Sequence, residues 1–345
     1  MKNLKVKTQN LVKLLDALKD ASNLLAPQTD KYGDTYFQQV VDASQVVLKH
    51  FKPLMPAVRE VLFGQLEDMI TFKDTASGTK IKPVKAAKDT ILFGLPNCDL
   101  DGILYNDEFF AKREFADFYY VNARKKLTII TLACLTPPNE NCFCASMGHG
   151  PFAEKGFDLQ LTDMGDGFFL VNIGSKKGQK IVDDNSSLFE AAGEADLSKW
   201  KELKQQAEES TTKKDVNKKK ALDNMGRTPL KEQMIIEISD RCISCGACNY
   251  TCPTCTCFNV IDHKKDKAGT RKRVLDSCIL GGYFRMAGGH NPKEAKEDRT
   301  RNRYFCKLLW DKEKLGDSGC VGCGRCLDAC PVKVDIKDVI KQLSN

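Results

Sequence analysis

Residues 242–253 read CISCGACNYTCP, and residues 320–331 read CVGCGRCLDACP. Each segment spaces its four cysteines as C-x2-C-x2-C-x3-C and ends in Cys-Pro. Thiolates are strong ligands for iron and zinc, and a short fixed spacing lets one loop present several of them to one metal centre. The two segments therefore predict metal centres in the last third of the chain.

This spacing is typical of bacterial two-cluster ferredoxins, in which three thiolates of a run hold one 4Fe-4S cluster and the fourth holds the other. Cluster 1 is therefore predicted to use Cys242, Cys245, Cys248 and Cys330. Cluster 2 is predicted to use Cys320, Cys323, Cys326 and Cys252. Glycines at positions 246, 322 and 324 allow the backbone to wrap around a cluster. Such a pair indicates electron transfer, and clusters that only cross-link the fold are the alternative.

Composition narrows the class of protein. The chain has 345 residues, enough for two domains, and lacks both a recognisable signal peptide and a run of about 20 apolar residues. We therefore expect a cytoplasmic protein without a membrane span. Sixteen cysteines in that compartment indicate metal ligation rather than disulfides.

The net charge of the chain indicates whether a nucleic acid is a plausible partner. The formal charge of +7 suggests a phosphate-binding surface. However, a 4Fe-4S cluster with four thiolates carries about −2, so three clusters would leave about +1. We expect no nucleic-acid partner. A zinc-binding nucleic-acid protein stays as an alternative because of the basic stretch 199–220, although zinc knuckles require only pairs of cysteines.

The first 195 residues show apolar patterns of helices and strands. They predict a helix at 8–26, a strand at 90–93, helices at 100–104 and 107–125, a strand at 127–134, and a hairpin of 157–161 with 168–173. The strand–helix–strand order predicts a parallel α/β unit, whose sites lie beyond the carboxyl ends of the strands. Cys98 and Cys134 fall there, and Cys142 and Cys144 follow closely.

The second half combines a charged segment with the cysteine runs. Residues 196–234 are predicted to be a charged helix or linker, with a docking surface for an acidic partner as the alternative. The alternation at 235–239 predicts a short strand or an extended entry segment, and the long spacer 253–319 has room for two or three helices. The predicted fold is an α/β domain at 1–195 plus a mainly α-helical two-cluster ferredoxin-like domain at 235–345.

Eight cysteines lie outside the predicted ligand sets, and two groupings could hold a third cluster. The first group is Cys98, Cys134, Cys142 and Cys144. The second group is Cys255, Cys257, Cys278 and Cys306. Free cysteines are also common as small buried apolar residues, so both groups have a structural alternative. His149 and His290 are interpreted as ordinary loop or core histidines rather than ligands.

Several motifs resemble one family, which contains the beta chain of soluble sulfhydrogenases and the A chain of anaerobic sulfite reductases. In the second half they are CPTCTCF at 252–258, DSC at 276–278 and AGGHN at 287–291. In the first half they are FGLPNCD at 93–99, AC at 133–134 and CFCASMG at 142–148. The resemblance covers about residues 45–335. Leu95 and Pro96 stand where the family usually has valine and arginine, and Cys306 where it more often has histidine.

The resemblance implies an electron-transfer subunit that binds a flavoprotein handling NAD(P)H and also a hydrogenase, sulfite reductase or similar redox subunit. It also implies a third 4Fe-4S cluster on Cys98, Cys134, Cys142 and Cys144. The chain has no glycine-rich nucleotide loop and no recognisable catalytic triad. We therefore expect an iron–sulfur subunit of an anaerobic multi-subunit oxidoreductase that does no bond chemistry itself. A catalytic reductase with its own flavin or open cluster site is the alternative.

Overall fold

Two β-sheets organise this computed structural model, which describes residues 4–84, 87–226 and 230–344. The strands of the described residues are β1 (Leu4–Lys7), β2 (Asn23–Thr29), β3 (Thr35–Gln39), β4 (Leu66–Thr75), β5 (Gly78–Pro83), β6 (Thr90–Leu95), β7 (Leu127–Leu132), β8 (Leu159–Asp163), β9 (Phe168–Ile173), β10 (Phe189–Ala191), β11 (Phe258–Lys265) and β12 (Ala268–Leu275). The eight-stranded sheet has the order β10-β1-β9-β8-β7-β6-β2-β3, and the four-stranded sheet has the order β11-β12-β4-β5.

Helices connect and cover these strands. In the same described ranges they are α1 (Thr8–Ala21), α2 (Val58–Val61), α3 (Asn97–Asn106), α4 (Phe118–Lys126), α5 (Lys176–Asp184), α6 (Glu194–Thr211), α7 (Lys218–Met225), α8 (Leu230–Arg241), α9 (Ala247–Tyr250), α10 (Lys296–Phe305), α11 (Asp311–Leu315), α12 (Arg325–Asp328) and α13 (Ile336–Ser344). Two π-helical turns, Asp107–Ala111 and Cys306–Trp310, follow α3 and α10 directly. No helix of the described ranges is long and apolar enough to cross a lipid bilayer.

The chain divides into two units by the density of its internal contacts. The first unit comprises Met1–Pro53, Ala87–Leu104 and Ala123–Lys213, and it contains the whole eight-stranded sheet. The second unit comprises Leu54–Ala86, Tyr105–Asn122 and Lys214–Asn345, and it contains the four-stranded sheet and both cysteine runs. The domain boundaries at 195 and 235 stay a prediction from the sequence. Residues 227–229 of the charged segment lie outside the described residues.

The first unit is built around a mixed sheet with a parallel centre. Strands β2, β6, β7 and β8 pair in parallel, and β9 pairs antiparallel with β8. The predicted parallel unit and the predicted hairpin are therefore both confirmed. The β-branched residues of β7, such as Ile129 and Ile130, are buried, as expected for a central parallel strand. Leu11 and Leu15 of α1 join the same core.

The predicted helix at 8–26 is wrong at its C-terminal end. The helix ends at Ala21, and Asn23–Thr29 forms β2 instead. Asn23, Leu24 and Leu25 pair in parallel with the first residues of β6. Leucine is a good helix former, but the backbone pairing with β6 and the burial of Leu24 override that weak preference.

The predicted helix at 107–125 is interrupted. A π-helical turn occupies Asp107–Ala111, and a regular helix begins again at Phe118. Asp117 starts this second helix, because its carboxylate accepts a hydrogen bond of 2.8 Å from the backbone N–H of Tyr120. The cap explains why α4 begins where it does.

The second unit contains a hairpin that the sequence did not predict. Strands β11 and β12 lie in the spacer between the cysteine runs and pair with β4, far earlier in the chain. Arg273 of β12 is 1% exposed and forms ion pairs of 2.6 Å with Glu67 and 2.5 Å with Asp117. Such a buried cation needs carboxylate partners, and they come from two distant parts of the sequence.

The entry to the first run is helical rather than extended. Residues 235–239 lie inside α8, so the predicted strand is wrong. Met234, Ile235 and Ile238 are buried whereas Ile236 is exposed, which is the pattern of one helix face. The α/β first half and the helical region that carries the cysteine runs confirm the predicted fold class.

Candidate metal centres

The two cysteine runs adopt the same local backbone. In each run a glycine, Gly246 or Gly324, has positive φ and precedes a single helical turn that carries the third cysteine. Ser244 has a φ of 56°, and the equivalent position in the second run is Gly322 with a φ of 69°. A left-handed conformation at both positions turns the chain sharply between the first two cysteines. The repeated motif is thus a repeated structure.

The structure brings together the four thiols predicted for cluster 1. Cys242, Cys245, Cys248 and Cys330 line one small cavity, in which Cys326 also takes part. Its remaining walls are mostly apolar, and they comprise Ile238, Ile243, Gly246, Ile279, Thr300, Arg303, Tyr304, Val332, Val334 and Ile336. Four thiols around a space with apolar walls fit the ligand set of a four-iron cluster.

The thiols predicted for cluster 2 also interact with each other. Burial, and then the neighbouring charges of Cys323, Cys320 and Cys252, raises the pKa of Cys326 well above its usual value. Burial raises the pKa of Cys320 to about 12, with further contributions from Cys323 and Cys252. Cys252 thus affects the ionisation of Cys320 and Cys326 in the second run and also that of Cys248 in its own run, and the crossover of ligands stays a prediction.

A buried thiol resists ionisation because the low-dielectric surroundings stabilise a thiolate poorly. Iron binding replaces the proton and compensates the thiolate charge, so thiols of this kind can act as ligands only with release of protons.

Side chains from distant segments hold the loop that follows Cys252. The Arg59 guanidinium donates to the carbonyl oxygens of Cys252, at 3.0 Å, and Cys255, at 2.6 Å. The Asn106 amide donates to the carbonyl of Pro253 at 2.8 Å. Lys307 Nζ donates to the carbonyl of Thr254 at 2.8 Å. The loop therefore has little freedom to move its thiols.

Three of the cations near these thiols are buried, and none of them is predicted from the sequence to belong to the site. Arg59, Arg303 and Lys307 are 2%, 5% and 3% exposed. Burial alone would lower the pKa of Arg303, but the nearby thiolates of Cys248 and Cys255 raise it overall. The i, i+4 spacing of Arg303 and Lys307 shows that they share one helical face. However, no sequence signal showed that this face is buried, and none indicated Arg59.

The second grouping of cysteines lies in the spacer between the two runs and comprises Cys255, Cys257, Cys278 and Cys306. Asn249 Nδ2 donates to Cys278 Sγ at 3.1 Å. The neighbouring Cys278 and burial together raise the pKa of Cys257. Burial raises the pKa of Cys306 to about 11, and the charges of Asp311 and Cys278 add to this effect. Cys278 thus bonds directly with Cys257, whereas only its charge acts on Cys306.

The first unit gathers three of the four thiols of the other grouping. Burial raises the pKa of Cys134 to about 12, with smaller contributions from Cys144 and Cys142. Lys52 Nζ lies 3.4 Å from Cys142 Sγ, within hydrogen-bond distance. Cys98 is half-buried near the N-terminus of α3, just past β6, and Cys134 lies just past β7. Because β6 and β7 are parallel neighbours, Cys98 and Cys134 follow the same edge of the sheet.

His149 and the possibility of a single-ion zinc site can be judged from the positions of the side chains. His149 Nδ1 lies 3.2 Å from an oxygen of Asp101, which gives this histidine a carboxylate partner. In the described residues no three His, Cys, Asp or Glu side chains are close enough to share a single metal ion. The spacing of these thiols therefore fits iron–sulfur clusters better than a single zinc ion, because the ligands of a cluster stand farther apart than those of one ion.

Comparison with known proteins shows which sequences resemble this chain and its cysteine runs. The family described as 4Fe-4S dicluster domain matches residues 241–334, which span both cysteine runs. The beta subunit of sulfhydrogenase 2 from Pyrococcus furiosus is 30% identical over 345 residues, covering 99% of this chain and 98% of that protein. A component of the ion-translocating oxidoreductase complex of Erwinia tasmaniensis is 28% identical over 116 residues, covering 31% of this chain and 53% of that protein. This chain therefore belongs to the family of 4Fe-4S dicluster proteins that contains the beta subunit of sulfhydrogenase 2.

Proposed function

We propose that this chain is an iron–sulfur electron-transfer subunit of an anaerobic multi-subunit oxidoreductase and acts in the cytoplasm. It relays single electrons between a flavoprotein that handles NAD(P)H and a second redox partner, such as a hydrogenase or sulfite reductase subunit. The observation that carries the proposal is the cavity on which thiols of both cysteine runs meet. Membership of a family that contains a hydrogenase subunit supports it.

The chain contributes ligands, burial and fixed charges. Cys242, Cys245, Cys248 and Cys330 hold cluster 1; Cys320, Cys323, Cys326 and Cys252 hold cluster 2. When bound, such clusters accept and donate one electron at a time. The walls around cluster 1 are mostly apolar, although Cys245 itself is exposed, and Arg303 places a positive charge beside thiols of both sets. Burial and nearby positive charge are the means by which a protein sets the reduction potential of a cluster.

A third cluster on Cys98, Cys134, Cys142 and Cys144 extends this path into the first unit. Two observations support it. Cys142 and Cys144 each contribute to the raised pKa of Cys134, and Cys98 follows the same edge of the sheet as Cys134. Anaerobically purified protein should then hold at least about twelve irons, and Cys142→Ser should remove about four of them. A variant that keeps the full iron content would contradict this third site.

Anaerobic co-purification tests the function itself. The tagged full-length chain should bring down a flavin-containing protein and a second redox protein, and the complex should transfer electrons from NAD(P)H to an added acceptor. The isolated chain should contain iron and acid-labile sulfide but no flavin. Zinc without sulfide would refute the proposal, and a flavin bound to the isolated chain would favour the catalytic alternative.

A further inference from the structure

In the second unit, contacts around Asn249 and Arg303 link three of the four remaining cysteines: Cys278 accepts from Asn249 and bonds with Cys257, and Arg303 lies 3.8 Å from Cys255. Cys255 and Cys278 are 7% and 4% exposed, and Cys257 and Cys306 are partly buried. They come from three parts of the spacer: the loop after the first run, the segment after β12, and the π-helical turn after α10. Segments far apart in sequence thus converge on the Asn249–Arg303 pair, and the charge of Cys278 also acts on Cys306 in the turn that follows α10.

Two nitrogen donors are directed at these sulfurs. Asn249 Nδ2 donates to Cys278 Sγ at 3.1 Å, and Arg303 Nη1 lies 3.8 Å from Cys255 Sγ. Arg303 also donates to Asn249 Oδ1 at 2.5 Å, which fixes the orientation of the amide so that its NH2 group faces the sulfur. N–H groups that are held on a sulfur in this way stabilise the thiolate form, and they are typical surroundings of cluster ligands.

The charges around the site point to a missing anion. Arg59 is 2% exposed, and its Nε and Nη1 atoms have no hydrogen-bond partner in the described part of the chain. The acidic groups that act most strongly on it are the thiols of Cys255, Cys252 and Cys257. Buried guanidinium donors without a partner are costly, whereas thiolates and sulfides of a cluster would accept from them.

We propose that Cys255, Cys257, Cys278 and Cys306 hold a further 4Fe-4S cluster, in addition to the clusters of the proposed function on which this inference rests. The loop 252–257 then contributes Cys252 to cluster 2 and Cys255 and Cys257 to the further cluster. The second unit then holds three clusters rather than two.

Iron and sulfide analysis of the full-length chain under anaerobic conditions tests this site. The wild type should hold about sixteen irons, and Cys278→Ser should lose about four together with one paramagnetic signal in the reduced protein. Cys306→Ser, at a partly buried position, should give the same loss with less risk to folding. Cys142→Ser is the matched control, because it should remove a different set of about four irons.

The outcomes separate this inference from the proposed function. If Cys278→Ser and Cys306→Ser both keep the wild-type iron content and spectrum, the four thiols are structural and the inference is overturned. A wild type with about twelve irons, of which only Cys142→Ser loses a third, would also overturn it and leave the proposed function intact. Retention of both ferredoxin-type signals in the variants shows that they are folded. A wild type without iron and sulfide would refute the proposed function as well.

Discussion

At the scale of single residues, Cys252 has the most informative position. It belongs to the first run in sequence, yet its charge acts on Cys320 and Cys326 of the second run. We expect Cys252→Ser to perturb the paramagnetic signal of cluster 2 more than that of cluster 1, because a serine oxygen is a harder and weaker ligand for iron than a thiolate.

The matched control is Cys330→Ser, which should perturb cluster 1 more than cluster 2 because Cys330 lines the cavity of the first run. Redox-poised paramagnetic resonance on both variants measures this difference. If each variant affects the cluster of its own run, the crossover is refuted.

Ser244 is a second residue whose conformation has a measurable consequence. Its φ of 56° is unfavourable for a residue with a Cβ, and Gly322 holds the equivalent position without that cost. We expect Ser244→Gly to leave cluster 1 intact and the free energy of unfolding unchanged or higher by up to about 1 kcal/mol. Ser244→Val should lower it by about 2 kcal/mol, because a β-branched residue is strained in this region.

Thermal unfolding of the anaerobic protein measures both substitutions at Ser244. The glycine and valine variants serve as each other's control, because glycine relieves the backbone strain at position 244 and valine increases it. Equal melting temperatures for the two variants would contradict the assigned backbone conformation.

At the scale of elements, α6 shows how structure adds to a charged sequence. The sequence predicts a solvated helix or linker here, and the lysines and glutamates of α6 are indeed exposed or partly exposed. One side nevertheless packs on the first unit. Trp200 Nε1 donates to the buried Thr162 Oγ1 at 3.2 Å, and the Trp200 ring meets the edge of Phe152 at a centroid distance of 6.1 Å.

This contact makes Trp200 the anchor of α6. Trp200→Phe should lower the free energy of unfolding by about 1 kcal/mol, because the hydroxyl of Thr162 loses its donor. Trp200→Ala should lower it by about 3 kcal/mol, since the ring contact is lost too. Lys201→Ala, at an exposed neighbouring position, should change it by less than about 0.5 kcal/mol. Denaturant unfolding under anaerobic conditions provides the comparison, and a linker-like α6 would show no effect of either tryptophan substitution.

At the scale of the whole molecule, iron binding and pH are linked through the thiols. Burial raises the pKa of Cys320 to about 12, that of Cys134 to about 12 and that of Cys248 to about 11. Below these pKa values the metal-free thiols are protonated, so protons compete with iron for them. Each such thiol weakens apparent iron binding by up to about tenfold per pH unit as the pH falls.

We therefore expect the holo-protein to lose more iron to a fixed chelator at pH 6.5 than at pH 8.5. The fraction of iron retained at equilibrium measures this, with an iron standard to correct for the pH dependence of the chelator. An iron content independent of pH would mean that the ligands are thiolates even without metal.

The sequence was informative where the pattern is local. The repeated spacing of the runs predicted the metal chemistry, and the apolar strand patterns at 90–93 and 127–134 predicted the parallel unit. It failed where a distant partner decides the outcome. Leu24 became part of β2 because β6 pairs with that segment, and residues 235–239 became helical because one face of α8 is buried.

The amino-acid sequence by itself determined that this protein presents two sets of iron-binding thiols, because ligand spacing within a run is a property of a few consecutive residues. Only the tertiary structure placed Arg59, Arg303 and Lys307 around the loop after Cys252 and joined the spacer hairpin to β4. These features depend on burial and on pairing between segments far apart in the chain, and no local pattern encodes them. The charge environment of these thiols is therefore a product of the fold, whereas the spacing from which the ligands are predicted is a local property of the sequence.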